Sequence, residues 1–315
     1  MPAAYVHDLS PFLIEFGNGF GIRWYGIAYA AAFVLGYFLY KWLAQRGYSD
    51  LKPEAVGDFI LWGGIFGVLL GGRVGYILFY DWDQFAQDPL VLFRVWEGGM
   101  ASHGGILGLV LYTLWYAWRH QISWLNIGDN LVVVAPIGLF LGRCANFING
   151  ELYGKITTVP WAMKFPGELH AIVAATGNQT ERLFVQAQLI VGRPVSVDGL
   201  ILASRENEQL RELVAQFLNP RHPSQLYEAF LEGLVLFAIL WVARTRFRLP
   251  DGIITGLFFV AYAVLRIIGE VFREPDAALT LGMSRGQFLS IFLIVIGIAF
   301  WVGALARKTY APRFR

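Results

Sequence analysis

Seven ionisable side chains fall inside stretches that are otherwise apolar: Arg73, His103, Arg143, Glu228, Glu232, Arg266 and Glu270. Groups of this kind are costly in such surroundings and by default mark function. Their spacing narrows the chemistry. Arg266, Glu270 and Arg273 stand at i, i+4 and i+7, on one helical face, so that Arg266 and Glu270 either form an intrahelical ion pair or share a site. Arg143 and Asn146 stand at i and i+3, shortly before Asn149-Gly150. Two polar residues there either cap the helix and snorkel, or, joined by a second arginine, clamp a phosphate through forked guanidinium donors. A phosphodiester is the guest this pattern favours. Arg73, after Gly71-Gly72, admits three roles: snorkelling, pairing with Glu228 or Glu232, or joining the phosphate site. His103, in Ser102-His103-Gly104-Gly105, is either a hydrogen-bonded structural residue or a general base. No second histidine or carboxylate stands at metal-ligand spacing, so no metal site is expected. G-x-S-x-G is absent, and the single cysteine, Cys144, reads as a small packing residue beside Arg143.

The elements that must position these groups are membrane helices. The 315 residues are 56% hydrophobic and 15% charged, with a mean hydropathy of +0.51, against roughly 25% charged residues in soluble domains. An aromatic share of 16% suits two interfacial belts. The net charge of +2 makes no basic stripe, so nucleic acid is not an expected partner. The N-terminus lacks a basic n-region and a small-residue cleavage site, so no removable signal peptide is expected. Apolar runs near the ~20 residues that cross a bilayer recur at about 22–41, 57–79, 99–118, 127–146, 224–243, 252–272 and 287–305.

Seven spans predict an all-α polytopic membrane protein with its termini on opposite sides. Lys41, Arg46, Lys52, Arg119, Arg244, Arg246, Arg248, Arg307, Lys308, Arg313 and Arg315 gather on one side, whereas the other short segments hold only Arg94, Arg273 and Arg285. The positive-inside rule then puts the C-terminus in the cytoplasm and the N-terminus in the periplasm. His103, Arg143, Glu228, Arg266 and Glu270 come to one level on the outer side. Three segments follow: residues 1–146 with four spans and a periplasmic arm at 81–98, a periplasmic head at 147–222, and residues 223–315 with three spans and a cytoplasmic tail. VPWAMKFPG and VSVDGLILASRENEQLRELVAQFL predict a mixed head, short strands followed by one amphipathic helix near 205–218. Gly63, Gly67, Gly71 and Gly75 recur every four residues, a face for close helix packing or for a lipid chain. Gly104 and Gly108 repeat the device, which would make the second and third spans neighbours.

One stretch carries a resemblance. Residues 142–154, Gly-Arg-Cys-Ala-Asn-Phe-Ile-Asn-Gly-Glu-Leu-Tyr-Gly, resemble the signature of the prolipoprotein diacylglyceryl transferase family. Arg23-Trp24-Tyr25-Gly26, Ser102-His103-Gly104-Gly105, His222-Pro223-Ser224-Gln225-Leu226-Tyr227-Glu228 and the stretch from Arg266 to Arg273-Glu274-Pro275-Asp276 agree with it in order. Two features depart from the pattern: Cys144 fills the variable slot, and the head from Phe165 to Asn219 is longer than in compact members.

The resemblance implies a bacterial inner-membrane transferase that needs no cofactor. It implies that phosphatidylglycerol gives its diacylglyceryl group to the lipobox cysteine of a preprolipoprotein signal peptide, with membrane lipids as the other partners. The products would be a thioether and glycerol phosphate, in the first step of lipoprotein maturation. Tyr25, His103, Arg143 and Arg266 match catalytic positions, and Asn146, Asn149, Glu151, Gly154 and Glu270 match binding positions, to which Arg73 is added. In this reading Arg143 and Arg266 hold the phosphate, His103 accepts the thiol proton with Tyr25 as hydrogen-bond partner, and Gly154 permits a turn. An ion- or proton-coupled transporter is the alternative from another class, since buried arginine and glutamate also mark ion pathways. It predicts groups spread through the membrane depth and an inverted repeat, and no repeat is visible.

Overall fold

A computed structural model describes residues 4–17, 20–94, 96, 98–176, 180–275, 279 and 281–314. Twelve helices matter to the argument. α1 is Trp24–Gln45, α2 Pro53–Tyr80, α3 Trp82–Gln87, α4 Ser102–His120 and α5 Trp124–Asn149. α6 is Leu169–Thr176, α7 Glu181–Val191, α8 Val197–Glu206 and α9 Glu208–Ala215. α10 is Ser224–Arg246, α11 Ile253–Glu270 and α12 Arg285–Arg307. Among the described residues six of these, α1, α2, α5, α10, α11 and α12, are long and apolar enough to cross a membrane. The stretch expected as the third span forms the 19-residue α4, which lies outside that set of six. Its Ser, His, Thr and Arg residues and four glycines or alanines dilute its apolar character.

The chain forms two compact units, the first from Met1–Ala32, Pro136–Phe237 and Ala261–Ile294, the second from Phe33–Ala135, Ala238–Val260 and Val295–Arg315. In the second unit the glycine stripe of α2 lies against α4. A Cβ on Gly71 would sit 2.7 Å from the Gly104 carbonyl oxygen and 2.9 Å from the Gly108 Cα, and one on Gly108 only 2.2 Å from the Gly67 carbonyl oxygen. The stripe therefore serves backbone-to-backbone packing, and the two helices are neighbours as expected. Residues Gly63–Leu69 of α2 form a π-helical stretch. Tyr40, Phe59, Tyr112, Tyr116 and Ile127 belong to a buried, largely aromatic core in this unit. The start of α11 is fastened by buried Asp129, which accepts from Gly252 N at 2.9 Å and from Thr255 N and Oγ1 at 2.8 Å, satisfying donors that a helix start leaves orphaned.

In the first unit β1 (Tyr5–Val6) pairs in parallel with β4 (Met163–Lys164), and β2 (Phe12–Gly17) pairs antiparallel with β3 (Phe20–Arg23), which leads into α1. The segment expected to hold strands and a single helix is mostly helical, with β4 its one strand among the described residues. Two caps account for this. Ser196 accepts from Gly199 N and Asn207 from Leu210 N, each at 3.1 Å, starting α8 and α9. Leu200, Ile201, Leu210, Leu213 and Val214 then fall at helical spacing into a core with Leu169 and Leu183. The alternating start of VSVDGLI gives way to that burial.

Replacing Gly108 by Ala is expected to cost about 1–3 kcal/mol through overpacking. Gly36→Ala, whose new Cβ meets no atom within 4 Å, is expected to leave the melting temperature in detergent unchanged or raised. Equal melting of the two variants would contradict the packing assigned to the stripe.

Candidate active site

The site is built around the end of α5. Gly150 takes a φ of 71°, its N–H bonds to the Phe147 carbonyl at 2.9 Å, and Glu151 N bonds to the Asn146 carbonyl at 3.2 Å. This pair of bonds is a Schellman cap, which needs glycine at the left-handed position. The cap turns the chain so that the Glu151 carboxylate meets its own helix. Asn146 Nδ2 donates to Glu151 Oε1 at 2.8 Å and to the Tyr25 hydroxyl, and Tyr25 donates to Glu151. Tyr25, expected to partner His103, is thus occupied by Asn146 and Glu151. From α10, Gln225 Nε2 donates to the Glu151 carbonyl at 2.6 Å and Ser224 Oγ to the Leu152 carbonyl at 3.0 Å.

Gly154 does not serve a left-handed turn, since its φ lies outside that region. It is a point of close approach: a Cβ would sit 2.4 Å from the Phe272 carbonyl oxygen and 2.8 Å from His222 Cβ. Its N–H bonds to the His222 carbonyl at 2.9 Å, and it bridges antiparallel to Arg273. The segment after α11 is thereby held against the segment before α10.

Three arginines and three glutamates from α5, α10 and the α11 end interlock within the first unit. Arg143 reaches Glu228 and Glu232, each at 3.0 Å. Arg266 reaches Glu228 at 2.8 Å, Glu232 at 3.0 Å, and Glu270. Arg273 reaches Glu228 at 3.2 Å. Glu228 and Glu232 are fully buried, and a π-helical stretch over Ala229–Val235 carries Glu232, a distortion found often at functional sites. Gly233 makes room for α5, since a Cβ there would lie 2.6 Å from Phe140 Cβ. The expected Arg266–Glu270 pair exists, inside this larger cluster. One side of the cluster faces a cavity of about 500 Å³ to which Arg143, Arg266, Arg273, Arg285 and Glu270 contribute, with an apolar wall of Leu289, Phe292 and Leu293. Such a space offers guanidinium donors to an anion and hydrocarbon to a chain attached to it.

Arg73 and His103 belong to the second unit. Arg73 is buried and gives its guanidinium to the carbonyls of Val91, Gly98 and Gly99, so it holds the arm after α2. Of its three expected roles none describes this; the backbone of the arm claims its donors. His103 is exposed at the start of α4, its ring edge-on to Phe79 at 5.1 Å and tilted against Tyr80 at 5.9 Å.

Glu228, Glu232, Arg273 and Arg285 join the site with no catalytic or binding role expected of them from sequence, although Glu228 was expected at the level of Arg143 and Arg266. Glu228 and Glu232 carried a signal, two acids at i and i+4 on one face of an otherwise apolar helix. Arg285 carried none.

The chain is similar to known proteins along most of its length. Residues 11–303 match the family model for prolipoprotein diacylglyceryl transferase. A protein of Idiomarina loihiensis is 42% identical over 304 residues, covering 94% of this chain and 93% of its own. One of Bdellovibrio bacteriovorus is 40% identical with 94% and 93% covered, and one of Proteus mirabilis 38% identical with 97% and 95% covered. All three carry the name phosphatidylglycerol–prolipoprotein diacylglyceryl transferase.

Glu228→Ala removes the buried carboxylate that three guanidiniums share and is expected to cost about 3–5 kcal/mol, read as a lowered melting temperature. Glu274→Ala, which breaks only a half-exposed pair with Arg221, is expected to cost about 0–1 kcal/mol. Similar losses for both would show that the cluster does not hold the bundle.

Proposed function

Because the chain belongs to the prolipoprotein diacylglyceryl transferase family, we propose that its arginine–glutamate cluster is where phosphatidylglycerol gives up its diacylglyceryl group to a prolipoprotein. The protein is a transferase of lipoprotein biogenesis and a multi-pass membrane protein. The observation that carries the site assignment is the cavity lined by Arg143, Arg266, Arg273 and Arg285 beside an apolar wall. The shared naming of the relatives supports transfer over transport.

The reaction joins the sulfur of the lipobox cysteine to the glyceryl carbon that bears the phosphate ester. The C–S bond forms as the C–O bond breaks, and the electron pair leaves on oxygen with glycerol phosphate. The thiol proton goes to a base. Arg143 and Arg266 stabilise the departing phosphate, and the glutamates hold both guanidiniums in place before the lipid arrives, the preorganisation on which such stabilisation depends. The same positive field favours thiolate over thiol, whose ordinary pKa is about 8.5. His103 is the proton acceptor in this reading. Asn146, Glu151 and Tyr25 position the reacting groups, Asn149 binds beside them, and Glu270 orients Arg266.

Purified Arg143→Ala is expected to transfer diacylglyceryl from labelled phosphatidylglycerol to a lipobox peptide about 10²–10³-fold more slowly. Arg143→Lys is expected to recover only part of the rate, since it loses the fork. His103→Gln is expected to be slower by about 10²-fold or more at neutral pH, with the deficit narrowing as pH approaches the thiol pKa. A parental rate in either the alanine or the glutamine variant would remove that residue from its role.

The proposal includes seven spans with α4 as the third, a periplasmic N-terminus and head (147–222), a cytoplasmic C-terminus and residence in the inner membrane. Its support is the asymmetry of basic residues. An impermeant thiol reagent applied to intact spheroplasts is expected to label a cysteine introduced at Gln188 and not one at Lys308; the reverse pattern would invert the topology.

A further inference from the structure

The first unit contains a second cavity, of about 670 Å³. Its floor is the Schellman turn, Asn149 to Glu151. One wall comes from the head helix α8, through Ile201, Leu202 and Arg205, and another from the N-terminal arm, through His7 and Phe12. Its volume lies in the ~300–1,000 Å³ range of ligand sites.

The two cavities differ in charge. The first sets four arginines against Glu270. The second sets Arg23 and Arg205 against Glu151, Asp198 and Glu274. Three carboxylates make the second space a poor home for a phosphate. What it does offer is unmet hydrogen bonding of both kinds: His7 Nε2, Asn149 Oδ1 and Arg205 Nε are buried and find no partner among the described residues. His7 is 1% exposed, and burial lowers its pKa to about 4, so its imidazole is neutral at physiological pH. Paired donors and acceptors alternate along an extended polypeptide backbone, and an uncharged chain is repelled by neither sign of the mixed charges. Continuity points the same way. Glu151 lines this cavity and accepts from Asn146, which stands one helical turn beyond Arg143 at the other cavity.

We propose that the second cavity is the acceptor-peptide subsite, taking the few residues that follow the lipobox cysteine while the arginine cavity takes the lipid. The inference rests on the transfer reading above. Helix α8 then sets tolerance for side chains after the cysteine, and the cysteine itself lies at the Glu151 end.

The test uses the full chain in nanodiscs containing phosphatidylglycerol. Leu202→Trp, which fills the cavity from a residue half exposed to solvent, is expected to raise the peptide KM about tenfold. Its kcat and its dependence on phosphatidylglycerol are expected to stay unchanged, and a peptide ending at the cysteine to be indifferent to the substitution. An unchanged peptide KM, or a change confined to the lipid dependence, overturns the proposal. In the unaltered protein, a photo-reactive benzoylphenylalanine two residues after the cysteine is expected to cross-link within residues 197–206. Adducts only elsewhere overturn the proposal even if the tryptophan variant misfolds. Failure of the unaltered protein to transfer diacylglyceryl to any peptide would instead overturn the transfer reading, and the cross-link still reports where the peptide binds.

Discussion

The pairing of three guanidiniums with three carboxylates inside the first unit is the constraint on which the rest depends. Each ion carries a desolvation penalty of several kcal/mol in such a setting, offset only where geometry is good and every group has partners. Arg143, Arg266 and Arg273 meet the condition by sharing Glu228, and the first two also share Glu232. The equal number of opposite charges makes the cluster stable without a ligand. It also fixes where the arginines stand, at the edge of a cavity with a hydrocarbon wall. Arg143 and Arg266 thus border that cavity with their guanidiniums already held by carboxylates.

Much of the surrounding architecture keeps that cluster in register. The Schellman turn ends α5 just after Arg143 and folds Glu151 back onto Asn146 and Tyr25. The crowding at Gly154 brings Arg273 beside the chain that leads into α10, where Glu228 stands. Arg221 extends the same logic to the head: it pairs with Glu168 at 2.6 Å and Glu274 at 3.1 Å, and lies over the Tyr153 ring. Glu168 in turn accepts from Asn219. The helices of the head and the ends of the membrane helices in this unit are therefore joined by charge-assisted hydrogen bonds. Two cavities of different character result, one rich in arginine and one of mixed charge with unpartnered side-chain polar atoms.

Most helices were legible because the signal is local. An apolar run of the right length has few alternatives in a bilayer, and the six long helices lie within a few residues of the expected spans. Gly67, Gly71, Gly104 and Gly108 were legible as packing devices for a similar reason, since four-residue spacing defines a face. The head was not. VSVDGLI alternates like a strand, and only the caps at Ser196 and Asn207, together with burial against Leu169 and Leu183, make it helical. Arg73 was likewise ambiguous, because its partners are carbonyls of a distant arm that no periodicity announces.

The sequence by itself determined the class of the protein, the helices, the polar residues within them and the family that residues 142–154 resemble. The first three follow from the 3.6-residue period and from the cost of polar groups in lipid, both properties of a single segment; the resemblance rests on the motif residues themselves. Tertiary structure alone decided the partners: Tyr25 with Glu151 and Asn146, Glu228 with three arginines, Gly154 as a close approach, and Arg285 at the arginine-lined cavity. Helical period sets which face a residue occupies. It does not set the rotation and depth at which another helix, some 90 residues away in the chain, brings its own face to meet it.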